Sequence, residues 1–268
     1  MNNKSEQNRP APMDSRDPAS RSRVTLITGA ASGIGLGIAR WFARDGHRVA
    51  MVDYNGPAVQ SASAELNAAG YETIAFQADV SNRAEVSAAV EKTRAKYGPI
   101  ELLIPCAGIS EYVPFTEMTV EQWQRMLDVN LTGMFHVIQL AVTDMLAAGW
   151  GRIVTISSMS AQVGGPNMAH YSASKGGVTS LTKALARDFA DMGITVNTIP
   201  PSLIETGLSR RSEQADGSNP RIDAMIAMVP VKRIGLPEDI AAACAWLCSD
   251  HAGFVTGQEI NVNGGMYS

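Results

Sequence analysis

The chain has 268 residues, 45% hydrophobic and 18% charged, which suits a single large folded domain and excludes a mainly disordered chain. With 22 basic against 26 acidic residues the net charge is −4, so no overall basic field exists to hold nucleic acid. Cys106, Cys244 and Cys248 are too few for a disulfide framework, and no unbroken apolar run reaches the roughly 18 residues expected of a membrane span.

Met1 to Arg23 is polar and lacks the apolar centre of a secretory signal, and is read as a disordered tail. From Val24 the pattern changes. Val24 to Thr28 is a short β-branched run ending in a glycine-rich turn, the mark of a buried strand. Residues 33–46 show helical spacing, with Ile34, Ile38, Trp41 and Phe42 on one face and Gly46 at the stop. A second strand spans 48–53, a helix 56–69 stopped by Gly70, and a third strand 73–76. A helix follows over 82–97, with Asn82 near its N-cap, then a strand over 101–104.

The alternation continues with a long helical stretch over 119–148, open to a break near Gly133. It goes on through a strand at 152–156, a helix at 169–192 and a strand at 194–199. A helix from Pro237 to 249 and a last strand over Gln258–Val262 close the pattern. Cys244 and Cys248, four apart on that helix, read as small core residues on one face. Seven near-continuous apolar strands alternating with helices predict an α/β fold. Its sheet is parallel, seven-stranded and doubly wound in the Rossmann manner, with helices on both faces. Residues 24–268 are taken as one domain, and ligands are expected outside the carboxyl ends of the strands. The excursion over 200–236 breaks the rhythm and predicts a substrate lid. Within it, Met225, Ile226 and Met228 suit either lid core or pocket wall. Arg210 and Arg211 suit a solvated loop face, or a contact to an acidic substrate tail.

The turn after the first strand reads Thr28-Gly29-Ala30-Ala31-Ser32-Gly33-Ile34-Gly35. Glycines let the backbone approach a pyrophosphate, and the helix that follows aims free N–H groups at it. Position 38 is isoleucine, so the full GxGxxG pattern is not met. Asp53 ends the second strand 18 residues beyond Gly35. A carboxylate there suits the hydroxyls of an adenosine ribose and repels a 2′-phosphate, which favours NAD over NADP. Tyr171 and Lys175 are spaced i, i+4 and share a helix face. An ammonium beside a phenol favours the phenolate and lowers its pKa, as a proton shuttle needs. Ser158 ends the fifth strand 13 residues before Tyr171 and could hold a carbonyl oxygen. His136 and His170 read as helix residues with a solvent or backbone partner.

Taken in order, these motifs resemble the short-chain dehydrogenase/reductase family over about Val24 to Ser268. They are the Thr28–Gly35 turn, Asp79-Val80, Ala107-Gly108, Asn130, Ser158, Tyr171, Lys175, and Ile204 with Thr206. The resemblance implies that Tyr171 is the general acid/base, that Lys175 lowers its pKa and holds the nicotinamide ribose, and that Ser158 polarises the substrate carbonyl. It implies that Asn130 holds a water in a proton relay, that Asp79 and Val80 flank the adenine, and that Ile204 and Thr206 face the carboxamide. The implied cofactor contacts are Gly29, Ser32, Gly33, Ile34, Gly35, Asp53, Asp79, Val80, Ala107, Gly108, Tyr171, Lys175, Ile204 and Thr206, with no metal.

Two departures stand out. Pro105-Cys106 replaces the family's Asn-Asn before Ala-Gly, removing amide support near the adenosine, and Pro201-Ser202 replaces a Pro-Gly. The leading expectation is an NAD-dependent oxidoreductase that interconverts a secondary alcohol and a ketone. An NADPH-dependent 3-oxoacyl thioester reductase is the second, and a non-catalytic dinucleotide-binding regulator the third. The resemblance also implies a homo-oligomer, dimer or tetramer, formed through the helices at 119–148 and 169–192. A cytoplasmic home without nucleic-acid or membrane partners completes the reading.

Overall fold

A computed structural model of the chain describes residues 22–205 and 220–267. The apolar runs become β1 (Val24–Thr28), β2 (Arg48–Asp53), β3 (Thr73–Gln77), β4 (Leu102–Pro105), β5 (Gly151–Ile156) and β6 (Ile194–Ile199). They pair in parallel in the order β3-β2-β1-β4-β5-β6. The order reverses direction between β1 and β4, the switch point where a doubly wound sheet opens a crevice for ligands. The register aligns Thr28 with Val52 on one side and Pro105 on the other, so the motif residues that follow these strands gather at one end of the sheet.

Between the strands lie α1 (Gly33–Arg44), α2 (Gly56–Ala68), α3 (Arg83–Tyr97), α4 (Val120–Leu127) and α5 (Gly133–Ala148). They are followed by α6 (Ser160–Val163), α7 (Ala169–Phe189), α8 (Pro220–Met228) and α9 (Pro237–Cys248). One face of the sheet is covered by α1, α2 and α9, which contribute Ile38, Phe42, Val59, Leu66, Ile240, Cys244 and Leu247 to one core. The other is covered by α3, α5 and α7 through Val86, Val90, Val137, Ile138, Met145 and Val178. Cys244 and Cys248 are buried on the core side of α9, as their spacing predicts. Burying a side chain such as Phe42 contributes about 1.5–3 kcal/mol, which is why the apolar faces dictate the layering.

Local chemistry sets the helix ends. Asn82 caps α3 by accepting from Ala84 N at 3.1 Å. Thr119 and Gln122 form a reciprocal capping box on α4. Gly46 and Gly70 follow α1 and α2 with φ of 85° and 88°.

One expectation changes. The sheet has six strands among the described residues, not seven. The stretch from Gln258 to Val262 does run beside β6, with Thr198 N donating to Gln258 O and Ile260 N to Thr198 O, both at 2.9 Å. It makes only isolated bridges, at Glu259 and Val262. Asn197 takes two of the nearby backbone groups with its side chain, donating to Val255 O and accepting from Gln258 N, in place of a backbone ladder.

The long helix over 119–148 is broken before Gly133, by a π-helical turn, Asp128–Thr132, between α4 and α5. Such turns fit one extra residue into a helix and gather at functional sites. By length and composition Val120–Ala148 could cross a membrane, at a mean hydropathy of 1.4. Here its α5 portion instead buries Met134, Val137, Ile138, Ala141, Val142 and Met145 against the sheet.

Of the excursion over 200–236, residues 206–219 lie outside those described, as do the tail residues 1–21. Its two ends are tied together. Glu205 N donates to Gly235 O at 2.7 Å and Gly235 N to Leu203 O at 3.0 Å.

Candidate active site

The glycine turn is built by close approach. Gly29 has φ 68° and packs on the β4 end, where an added Cβ would sit 2.8 Å from Ala107 Cα. On Gly35 a Cβ would lie 2.1 Å from Gly29 O, so only glycine lets α1 start this close under the turn. Ser32 occupies the N-cap of α1 without making a side-chain cap, and Gly33 and Ile34 form the first helical turn. Asp53 is 8% exposed at the end of β2. Its Oδ2 accepts from Ala31 N at 3.0 Å and its Oδ1 from Asn55 N at 2.9 Å. The carboxylate is thus fixed against the turn, with lone pairs left for hydroxyl donors.

Asp79 lies on the surface beyond β3. Its Oδ1 accepts from Ser81 N and Oγ, at 2.9 and 2.7 Å. Val80 is buried beside Gly133, and its carbonyl contacts His136 Nδ1 at 3.1 Å, the backbone partner expected for that histidine. Beyond Pro105, Thr28 Oγ1 accepts from Ala107 N at 3.1 Å, which ties the end of β4 to β1. Pro105 is buried at the end of β4, in register with Thr28 of β1. The Cys106 thiol is pushed up to about 11 by burial, with the nearby Lys175 charge opposing the rise, so it stays protonated near neutral pH.

Lys175 is 4% exposed, and its Nζ donates to Ile156 O at 2.9 Å. Burial pushes the ammonium down to about 8. Gly108 runs beside it, and a Cβ there would lie 3.4 Å from the lysine nitrogen and 3.2 Å from Asn130 Oδ1. Asn130 sits in the π turn, fully buried. Its Nδ2 reaches Ile109 O at 3.0 Å, Met126 Sδ at 3.1 Å and Ser174 Oγ at 3.1 Å, and its Oδ1 accepts from Ile109 N at 2.8 Å. The side chain is therefore committed to holding the protein together.

The Tyr171 phenol departs from expectation: it is shifted up, not down. Burial dominates, and a hydrogen bond with the Ser158 hydroxyl only partly opposes it. Lysine does not reverse the shift here, because its ammonium is turned to the Ile156 carbonyl, 5.9 Å from the tyrosine ring centroid. Ser158 accepts from Ser160 N at 3.1 Å and from Ser160 Oγ at 2.9 Å, which leaves its own proton for the Tyr171 oxygen. Ile204 is buried at the neck of the excursion, against Gly235. Thr206 lies outside the described residues. Ser202 donates to Asn263 O at 3.0 Å, which fastens the neck to the C-terminal segment.

Sequence reading missed Ser160, which aims Ser158, and Ser174, which accepts from Asn130 and donates to Tyr171 O at 2.8 Å. No spacing signal marks either. His170 also departs from expectation: it is fully buried, and neither ring nitrogen has a hydrogen-bond partner. No cluster of three or more His, Cys, Asp or Glu able to hold a metal occurs among the described residues.

The turn, the buried carboxylate and the Ser158–Tyr171–Lys175 group place a dinucleotide cradle next to a proton-transfer group. Comparison with known proteins gives the same class. A family model described as enoyl-(acyl carrier protein) reductase matches residues 29–267. The acetoacetyl-CoA reductase of Cupriavidus necator is 38% identical over 91% of this chain and 98% of its own. The 3-oxoacyl-[acyl-carrier-protein] reductase FabG of Staphylococcus aureus is 37% identical over 92% and 98%. The D-threitol dehydrogenase of Mycolicibacterium smegmatis is 37% identical over 91% and 92%. The crystal structure of gox2181 superposes with a TM-score of 0.86 at 35% identity, covering 91% of this chain and 95% of that one. The chain belongs to the short-chain dehydrogenase/reductase family and is an oxidoreductase of that class.

Proposed function

We propose that the protein is an NAD-dependent oxidoreductase interconverting a secondary alcohol and a ketone. The observation that carries the choice of NAD is Asp53, a buried carboxylate fixed at the end of β2 beside the phosphate turn. A 2′-phosphate there would meet a charge of its own sign in a poorly solvated place. The turn from Gly29 to Gly35 fits the pyrophosphate, Asp53 the adenosine ribose, and Asp79 and Val80 the adenine. Ala107 and Gly108 flank the ribose side, Lys175 holds the second ribose, and Ile204 faces the carboxamide. When bound, the nicotinamide takes or gives the hydride.

The chain's own work is positional and protonic. Ser158, aimed by Ser160, donates to the substrate oxygen. Tyr171 takes the alcohol proton during oxidation and returns it during reduction. Lys175 supplies positive charge beneath this pair, and Asn130 fixes the turn that frames it. The working form is a homo-oligomer in the cytoplasm.

The relatives named for 3-oxoacyl and acetoacetyl thioesters favour a second reading, an NADPH-dependent 3-oxoacyl thioester reductase. The two separate in one comparison: kcat/KM for alcohol oxidation with NAD against acetoacetyl-CoA reduction with NADPH. Higher values for the first support the NAD reading. Higher values for the second replace it.

A further inference from the structure

A serine hydroxyl has one proton to give and two lone pairs that accept. At Ser158 both lone pairs are taken by one neighbour. Ser160 donates to Ser158 Oγ from its backbone N–H at 3.1 Å and from its hydroxyl at 2.9 Å. That leaves Ser158 able to give a hydrogen bond and unable to take one from a substrate hydroxyl. The adjacent Ser157 is not available for this work. It is 2% exposed, and its hydroxyl is spent on α7, with Lys175 O at 3.2 Å and Thr179 Oγ1 at 2.9 Å.

The turn that carries Ser160 is held by other groups. Met159 N donates to Pro201 O at 2.9 Å, just beyond β6, and Ala161 N donates to Ser158 O at 3.0 Å. Gln162 Nε2 donates to Asn261 Oδ1 at 2.9 Å and to Glu259 Oε2 at 3.2 Å, which ties α6 to the C-terminal segment. None of these contacts uses the Ser160 hydroxyl. Its single proton goes to the serine that meets the substrate oxygen.

A serine that both gives and accepts offers an alcohol two poses. In one, the alcohol accepts from the serine and gives its proton to Tyr171. In the other, it gives its proton to the serine oxygen, and Tyr171 receives nothing. Closing both lone pairs removes the second pose. It also strengthens Ser158 as a donor, because hydrogen bonds in a chain polarise one another.

Resting on the reading of Ser158 and Tyr171 given above, we propose that Ser160 is a positioning residue. Its hydroxyl holds Ser158 as a donor, so that the alcohol proton has Tyr171 as its one outlet.

The test is a double-variant cycle on the full chain. Ser160→Ala keeps the N–H bond to Ser158 and removes the hydroxyl alone. Its kcat should fall about tenfold, the worth of one net hydrogen bond, with KM no higher than in the wild type. Ser160→Thr returns the hydroxyl and should restore the rate. On the residual rate of Ser158→Ala, adding Ser160→Ala should cost nothing further, because Ser160 acts through Ser158. Full activity in Ser160→Ala, a loss carried by KM, no recovery in Ser160→Thr, or an equal loss without Ser158 overturns the proposal. The assay runs with NAD and secondary alcohols and, separately, with NADPH and acetoacetyl-CoA. Turnover in the second pair alone overturns the alcohol-oxidising reading. The same variants then decide on Ser160 with acetoacetyl-CoA, whose ketone oxygen takes the same hydrogen bond from Ser158. A wild type silent in both pairs removes the proton transfer and overturns the role of Ser160 with it.

Discussion

At Lys175 one side chain sets function against stability. Its ammonium is buried and pushed from 10.5 down to about 8, so folding costs free energy whenever the lysine is charged. Because the unfolded chain binds the proton more tightly, this cost is full below about pH 8 and is relieved as the pH rises toward 10.5. Lys175→Met should therefore raise stability by about 1–3 kcal/mol at neutral pH while abolishing most activity. Denaturant unfolding of the two proteins should converge between pH 8 and 10.5, and parallel curves would refute the assignment. His170 makes a related case without a functional role. Two unpartnered ring nitrogens in a buried place cost about 1–3 kcal/mol each, so His170→Leu should unfold at higher denaturant than the wild type.

Tyr171 and Lys175 are legible in the chain because a helix fixes i, i+4 neighbours on one face whatever surrounds them. The direction of the Tyr171 shift is not legible, because burial and the lysine's turn toward Ile156 depend on the whole fold. The loop after β4 is equally hidden, since Ile109 and Val113 are held by residues distant in sequence, Asn130 and Asn167.

Among the elements, the strands and most helices follow directly from apolar period and caps. The break between α4 and α5 is announced only by Gly133, whereas its π geometry comes from tertiary demand: Asn130 must satisfy both polar groups of Ile109. Asn130→Ala leaves those groups without partners and should cost about 2–4 kcal/mol, with kcat falling as the loop loosens. An unchanged unfolding midpoint would show that the turn holds itself. The partial seventh strand has a similar origin, because the side chain of Asn197 accepts from Gln258 N, a group that the sequence pattern assigns to a ladder.

The same logic applies at the start of β1. Arg23 N donates to His47 Nδ1 at 3.2 Å, and burial lowers the imidazole below its ordinary 6.5. The unfolded chain then binds the proton first, so stability should fall as the pH drops below 6.5 toward the folded value. His47→Gln should lack this part of the acid loss.

For the whole molecule, the layered core is complete, yet apolar side chains remain outside it. Phe135 and Leu146 of α5 are exposed, as are Trp246 of α9 and Phe254. Phe135 and Leu146 share α5, where exposed apolar side chains suit a contact between chains. Light scattering should give a dimer or tetramer, and a monomer at micromolar concentration would refute the assembly.

The proposed reaction joins Asp53 and Tyr171, and one assay addresses both. NADH formation is followed with secondary alcohols, beside NADP and a Tyr171→Phe control. Turnover is expected with NAD, with a loss of about a hundredfold or more in Tyr171→Phe. Full activity in that variant, or turnover with NADP alone, would contradict it.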